Sequence, residues 1–260
     1  MRIKRLVLSV VVALAGFLPQ SEAQPTLGSA DSYAALGGST VTSIGGTVLN
    51  GNLGLSPGSS VTGFYPPGTV NGTIDAGDAA AELAQAAALN AYTALAGKTP
   101  TENLTGQDLG GLTLASGVYS FGSSADLTGT LTLNGPGVFV FQIGSTLSTA
   151  SSSSVVLGSG AQAGNVFWQV GTSATLGTDT SFYGTILADA SITLDTGANI
   201  RSGRALALSA AVTLDDNTIT IPAAVAAVPE PASFWSGALT ASFVGIWQCL
   251  AVWRRKAGRS

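Results

Sequence analysis

Ala174-Thr175-Leu176, Ile192-Thr193-Leu194 and Val212-Thr213-Leu214 repeat one phrase, with the threonines 18 and then 20 residues apart. A period of about 20 residues without helical apolar spacing marks a β-solenoid, in which each repeat is one coil that buries its apolar side by stacking on its neighbours. Side chains alternate along a strand, so Leu176, Leu194 and Leu214 share a side with Ala174, Ile192 and Val212 and form the core. Thr175, Thr193 and Thr213 point the other way, together with Ser173, Ser191 and Ala211. Stacked at roughly 4.8 Å, they make an exposed ladder beside a second ladder of small residues. The surface is flat and nearly lacks the Lys, Glu and Arg of an ordinary solvated sheet.

Each unit has a second repeating half. Gly184-Thr185-Ile186-Leu187-Ala188 returns 19 residues later as Gly203-Arg204-Ala205-Leu206-Ala207, so a coil carries more than one strand. Upstream, Gly137-Val138-Phe139-Val140-Phe141-Gln142-Ile143-Gly144 matches Asn165-Val166-Phe167-Trp168-Gln169-Val170-Gly171. That match predicts an earlier coil with Thr146 and Ser148 facing outward, and the same alternation adds Ser124 and Asp126.

Between Leu36 and Asn71, short β-prone pieces alternate with turn signals such as Gly45-Gly46, Asn50-Gly51-Asn52 and Ser56-Pro57-Gly58. These read as irregular coils, with Ser39 and Thr42 on the exposed face. The texture then changes. Asp78 is placed to cap a helix running through the alanine-rich stretch from Ala79 to Ala96, which Gly97 and then Pro100 end. Its larger apolar residues, Leu83, Leu89, Tyr92 and Leu95, are expected to pack along one side of the solenoid. Strands resume from Leu104.

The chain has 260 residues, 45% hydrophobic and 9% charged, with 34 glycines, which suits one domain of tight turns and small stacked side chains. The N-terminus reads as a secretion signal over residues 1–23: basic Met1 to Arg5, apolar Leu6 to Leu18, and Ser21-Glu22-Ala23 as a cleavage site before Gln24. The solenoid domain is expected over 24–221, followed by a linker over 222–233. At the other end, Val228-Pro229-Glu230-Pro231 precedes a largely apolar stretch from Phe234 to Trp253 and then Arg254, Arg255, Lys256 and Arg259. That length spans a bilayer, and the basic flank predicts a cytoplasmic tail, so residues 234–260 read as a transmembrane helix with its tail.

Between Gln24 and Val228 there are 12 acidic residues and 3 basic ones, Lys98, Arg201 and Arg204, a net charge of −9. Such a body does not seek nucleic acid or anionic lipid. The single cysteine, Cys249, lies in the C-terminal apolar stretch, so stacking rather than a disulfide must hold the domain together. With no His in the chain, Ser-His and Cys-His nucleophile arrangements are excluded. The one adjacent carboxylate pair, Asp215-Asp216, sits with Asn217 where a turn is expected. The residues therefore point to a binding surface without cofactor or metal, on a chain expected to be a monomer.

Two resemblances sharpen this reading. The C-terminal signals are similar to the PEP-CTERM sorting signals of Gram-negative bacteria, which implies processing by a membrane peptidase of the exosortase type. The membrane is then met only through the C-terminal helix before processing, and the destination is the cell surface or extracellular matrix. The domain itself resembles the secreted ice-binding family DUF3494. The matching blocks include Leu27-Gly28-Ser29-Ala30, Gly51-Asn52-Leu53-Gly54-Leu55-Ser56-Pro57-Gly58, Val70-Asn71-Gly72, the alanine-rich helix, Leu104-Thr105-Gly106-Gln107-Asp108-Leu109-Gly110-Gly111 and Asn217-Thr218-Ile219, in this order. That resemblance implies a mostly β fold, a discontinuous, roughly triangular right-handed β-helix with one long helix alongside, and adsorption to an ice crystal surface through one flat face. Family members often carry Thr-Ala-x-Thr-like tetrads there, and this chain has Thr172-Ser173-Ala174-Thr175, Ala190-Ser191-Ile192-Thr193 and Ala210-Ala211-Val212-Thr213. A Thr/Ser face also suits a carbohydrate, so a cell-surface or matrix adhesin remains the alternative.

Overall fold

The coil repeat becomes two parallel sheets, one of 15 strands and one of 7. The computed structural model describes residues 25–223. The secretion signal, the Val228 to Pro231 motif and the apolar stretch from Phe234 lie outside the described residues. The larger sheet supplies two sides of a three-sided solenoid, because Ser181–Ala188 and Asn199–Ala207 each run around a corner. Two glycines make that corner possible. Gly184 has φ +104, and a Cβ on Gly203 would lie 1.9 Å from the Gly184 carbonyl oxygen.

Coils do not stack in chain order. Across the smaller sheet the strands run Ala125–Leu127, Leu147–Thr149, Ala174–Leu176, Ile192–Leu194, Val212–Asp215, Thr40–Ile44 and Ser60–Thr62. The first coils of the chain therefore cap the last ones, with Thr42 opposite Thr213 and Leu49 opposite Ile219. This is the discontinuous β-helix expected, and the helix is what makes the discontinuity possible. It returns the chain to the far end of the stack, from which the remaining coils build back.

That helix spans Ala79–Ala96, and the Asp78 carboxylate accepts from the Ala81 N–H at 2.9 Å. Its 18 residues are about 27 Å long, enough to cross six coils spaced roughly 4.8 Å apart. Those coils offer Leu36, Leu206, Leu187, Phe167, Val140 and Val118. The packing face differs from the expected one. Ala81, Ala84, Ala88, Ala91 and Leu95 are buried, while Leu83 is 64% exposed and Leu89 52%. Spacing of three and four residues along the helix selects the alanine stripe, and small side chains let the helix axis approach the sheet. Tyr92 packs at the margin of that contact. Ala88→Leu should therefore destabilise the fold by about 1–3 kcal/mol through overpacking, read as a lower denaturant midpoint.

Polar anchors fix the helix and the entry to the solenoid. Gln142 Nε2 donates to the carbonyls of Leu95 at 2.7 Å and Lys98 at 2.8 Å, satisfying groups at the helix end. Gln85 Nε2 reaches the carbonyls of Gly37 and Ala207. The buried Arg204 donates through Nη2 to Asp31 Oδ1 and to the Asp31 carbonyl, both at 2.6 Å, pinning the turn Gly28–Ser32. Burial lowers the Arg204 pKa and the Asp31 carboxylate opposes that shift.

Inside the coils, aromatic rings stack from one turn to the next. Tyr119 to Phe141 is 5.5 Å between centroids, Phe141 to Trp168 3.9 Å, and Trp168 to Phe182 4.9 Å. In-register pairing of Tyr119, Phe141 and Trp168 on adjacent strands produces this column.

Candidate functional site

The seven-stranded sheet is buried on one side and open on the other. Ala125, Leu147, Ala174, Ile192, Val212 and Val41 point inward and are buried. Alternation then turns the next residue of each strand outward, and strand pairing aligns Asp126, Ser148, Thr175, Thr193, Thr213, Thr42 and Thr62 in one row. Six strand spacings of roughly 4.8 Å make that row roughly 29 Å long.

A second row precedes the first by two positions: Ser124, Thr146, Ser173, Ser191, Ala211, Thr40 and Ser60. Its hydroxyls are tied along the stack, with Thr146 Oγ1 donating to Ser124 Oγ at 3.0 Å and Ser191 Oγ donating to Ser173 Oγ at 2.9 Å. These bonds fix side-chain rotamers before any ligand arrives, which removes an ordering cost from binding. Across both rows only Asp126 is charged.

Carboxylates border this plane. Asp215 lies opposite Ile44, and Ile44 itself is 70% exposed at the outer end of its strand. Asp215 accepts from Thr196 Oγ1, while Asp216, with φ +52, accepts from the Gly46 N–H. Asp215 ends the strand Val212–Asp215 and Asp216 stands in the bend that follows, so the expected turn begins at Asp216 and not at Asp215. At the far end the backbone of Asp108 pairs with that of Asp126, and desolvation by itself would raise the Asp108 pKa. The N–H groups of Thr128 and Gly110 bound to its carboxylate outweigh that effect and hold it below its usual value.

Most of the residues picked from the sequence come together here: Thr42, Ser124, Asp126, Thr146, Ser148, Ser173, Thr175, Ser191, Thr193, Ala211 and Thr213. Ser39 does not. It is exposed in the turn before Thr40–Ile44, with its N–H on the Ala210 carbonyl, and Thr40 takes the position two residues before Thr42. The period of two along a strand makes 40 and 42 partners and puts 39 out of phase.

Sequence reasoning missed Thr40, Ser60 and Thr62. The signal was present, since Thr40-Val41-Thr42 and Ser60-Val61-Thr62 repeat one another at 20 residues, the same interval as Thr193 to Thr213. A neighbouring groove of about 740 Å³ between the helix and the coil corners is lined by Asp78, Glu82, Leu89, Asp189 and Leu208 among others, and lies off the ladder.

A rigid solenoid bearing one flat, hydroxyl-rich and almost uncharged sheet defines a protein built to meet an extended, repeating surface. The chain belongs to the ice-binding-like family, whose sequence profile matches residues 35–220. It is 53% identical over 241 residues to an ice-binding protein of Nostoc sp. (strain HG1), covering 88% of this chain and 89% of that one. Among solved structures it is similar to the ice-binding protein of the Antarctic ascomycete Antarctomyces psychrotrophicus. That likeness has a TM-score of 0.74 at 43% identity, over 77% of this chain and 100% of that chain. An ice-binding protein from an Antarctic biological consortium gives a TM-score of 0.75 at 42% identity, over 82% and 97% of the two chains.

Proposed function

We propose that the protein adsorbs to ice through the seven-stranded face and so inhibits ice growth or recrystallisation. The observation that carries this reading is the unbroken run Thr175, Thr193, Thr213, Thr42 and Thr62, in register on one sheet. Thr methyl groups held at strand spacing leave hydration water few orientations, and the hydroxyls pin that water by hydrogen bonds. The resulting layer merges with the crystal lattice. Each contact is weak, but the scaffold is already ordered, so many add with little entropic loss. Ice between adsorbed molecules must then grow as curved fronts, which stall.

Uptake into a slowly growing ice body tests this directly. The protein should concentrate in the ice, and crystals grown in its presence should be faceted and show thermal hysteresis. A protein left in the liquid, with round crystals, would sink the reading and leave a carbohydrate-binding adhesin as the better account of the same face.

Asp126 is the weak point of the surface. A carboxylate keeps its own hydration shell, which competes with an ice-like layer. Asp126→Thr should lengthen the uncharged row and raise hysteresis modestly, roughly 1.5-fold, since it removes one polar desolvation cost. Unchanged or lower hysteresis in a folded variant would place Asp126 outside the adsorbing surface.

The same reading includes delivery. The N-terminal signal ending at Ala23 exports the chain, and Val228-Pro229-Glu230-Pro231 with the following apolar stretch and basic tail addresses it to the surface of a Gram-negative cell, where a sorting peptidase acts.

A further inference from the structure

Of the two sides supplied by the larger sheet, the helix covers the one that carries Leu36, Val140, Phe167 and Leu187. The other is open and has a ladder of its own. Thr130, Ser154, Ser181, Asn199 and Thr218 are paired in one register, and Val48 and Thr69 continue the row to the end of the stack. The residues that follow them, Leu131, Val155, Phe182, Ile200, Ile219 and Leu49, are buried, so alternation turns the row outward. Each of its members is exposed or half-buried. Six strand spacings of roughly 4.8 Å make it roughly 29 Å long. Two residues further along the strands the outward side chains are of unequal size: Thr132, Val156, Tyr183, Thr220 and Asn50. Arg201 stands among them in the bulge between the pairs Phe182 with Ile200 and Tyr183 with Ser202.

We propose that this open side binds a neutral polysaccharide chain lying along the stack, a function separate from ice adsorption and independent of that reading. Hydrogen bonds between coils hold its polar groups in place. Asn71 Nδ2 donates to Asn50 Oδ1 at 2.8 Å, Asn50 Nδ2 donates to Thr220 Oγ1 at 3.0 Å, and the Thr130 and Ser154 hydroxyls lie 2.9 Å apart. Arg201 Nε donates to Ser181 Oγ at 2.5 Å, and the rest of the exposed guanidinium carries further donors. Fixed hydroxyls and amides both donate and accept, as sugar hydroxyls do, and their fixed rotamers lower the ordering cost of binding. The half-buried Tyr183 ring adds an apolar surface for the C–H face of a sugar. A flexible polymer can follow the relief of Val156, Tyr183 and Arg201, whereas a crystal plane cannot, which separates this side from the level hydroxyl face. Arg201 is the one charged side chain among these residues, and the net charge of −9 between Gln24 and Val228 repels acidic polymers, so the chain that fits is neutral.

Native electrophoresis of the full chain through gels containing dextran, hydroxyethyl cellulose or laminarin tests this, with alginate as the acidic polymer. At least one of the three neutral glucans should slow the protein about twofold or more relative to a plain gel, as binding units in excess of the Kd require. Alginate should not. Arg201→Ala should raise the apparent Kd about tenfold, the effect of losing a charged donor. Thr218→Tyr, which raises a ring in the exposed row, should weaken binding as well, and circular dichroism checks that both variants are folded. Thr193→Tyr, on the hydroxyl face, should bind the glucan like the parent. Free migration through all three neutral gels overturns the proposal, and so does equal retardation by alginate. Unchanged retardation of folded Arg201→Ala and Thr218→Tyr also overturns it. Loss of retardation in folded Thr193→Tyr would move the glucan to the hydroxyl face and overturn the assignment to this side.

Discussion

Thr193→Tyr is expected to abolish ice adsorption while leaving the fold intact. Thr193 is central in the outer row, paired with Thr175 on one side and Thr213 on the other, and its side chain points away from the core. A phenol ring there stands above the plane and holds the crystal off the neighbouring rows. Many weak contacts are then lost together, so hysteresis should fall about tenfold or more, the consequence of losing roughly 1.4 kcal/mol of adsorption. No buried volume changes, so unfolding free energy should stay within about 0.5 kcal/mol of the parent. Circular dichroism and a denaturant titration check the fold, and a nanolitre osmometer checks activity. A folded variant with full hysteresis would show that another side of the solenoid meets the ice.

Trp168→Ala carries the largest expected effect on stability. The ring is fully buried, stacks on Phe141 at 3.9 Å, tilts against Phe182 at 4.9 Å, and donates its Nε1–H to the Tyr183 carbonyl at 3.1 Å. Truncation removes that area, opens a cavity between rigid strands and leaves the carbonyl without its donor, a loss of about 3–5 kcal/mol. Stability in a solenoid is largely a sum of nearest-neighbour stacking terms. The damage should therefore concentrate in the coils holding Tyr119, Phe141, Trp168 and Phe182. Hydrogen exchange should quicken there before it does around Leu49 and Ile219, at the other end. A loss below about 1 kcal/mol would mean that the ring column does not hold those coils in register.

Legibility differed sharply between parts of the molecule. The in-register phrases ending at Leu176, Leu194 and Leu214 have only one way to bury their leucines, so alternation turns Thr175, Thr193 and Thr213 to the outer side, where strand pairing aligns them. The aromatic match between Val138 to Ile143 and Val166 to Val170 placed Thr146 and Ser148 as well. In the N-terminal coils turn signals break the pattern, and the phase slips by one residue between Ser39, expected on the face, and Thr40, which stands two residues before Thr42 on the strand. On the helix, side-chain size favoured Leu83 and Leu89, but contact geometry favoured alanine. The sheet beneath already supplies Phe167, Leu187 and Leu206, leaving room only for small groups between helix and sheet.

What the sequence by itself determined is the coil: its period, its inward leucines, its outward hydroxyls and the capped helix that interrupts it. Those are local matters, settled by the alternation of a strand and the capping of a helix within some 20 residues. Which coils become neighbours was decided only in three dimensions. Thr42 and Thr213 are far apart along the chain, and nothing in either segment names the other. They meet because the helix carries the chain back along the stack and the open edge of Val212–Asp215 offers backbone groups with which Thr40–Ile44 pairs in parallel. That junction joins two shorter ladders into a single row running from Asp126 to Thr62.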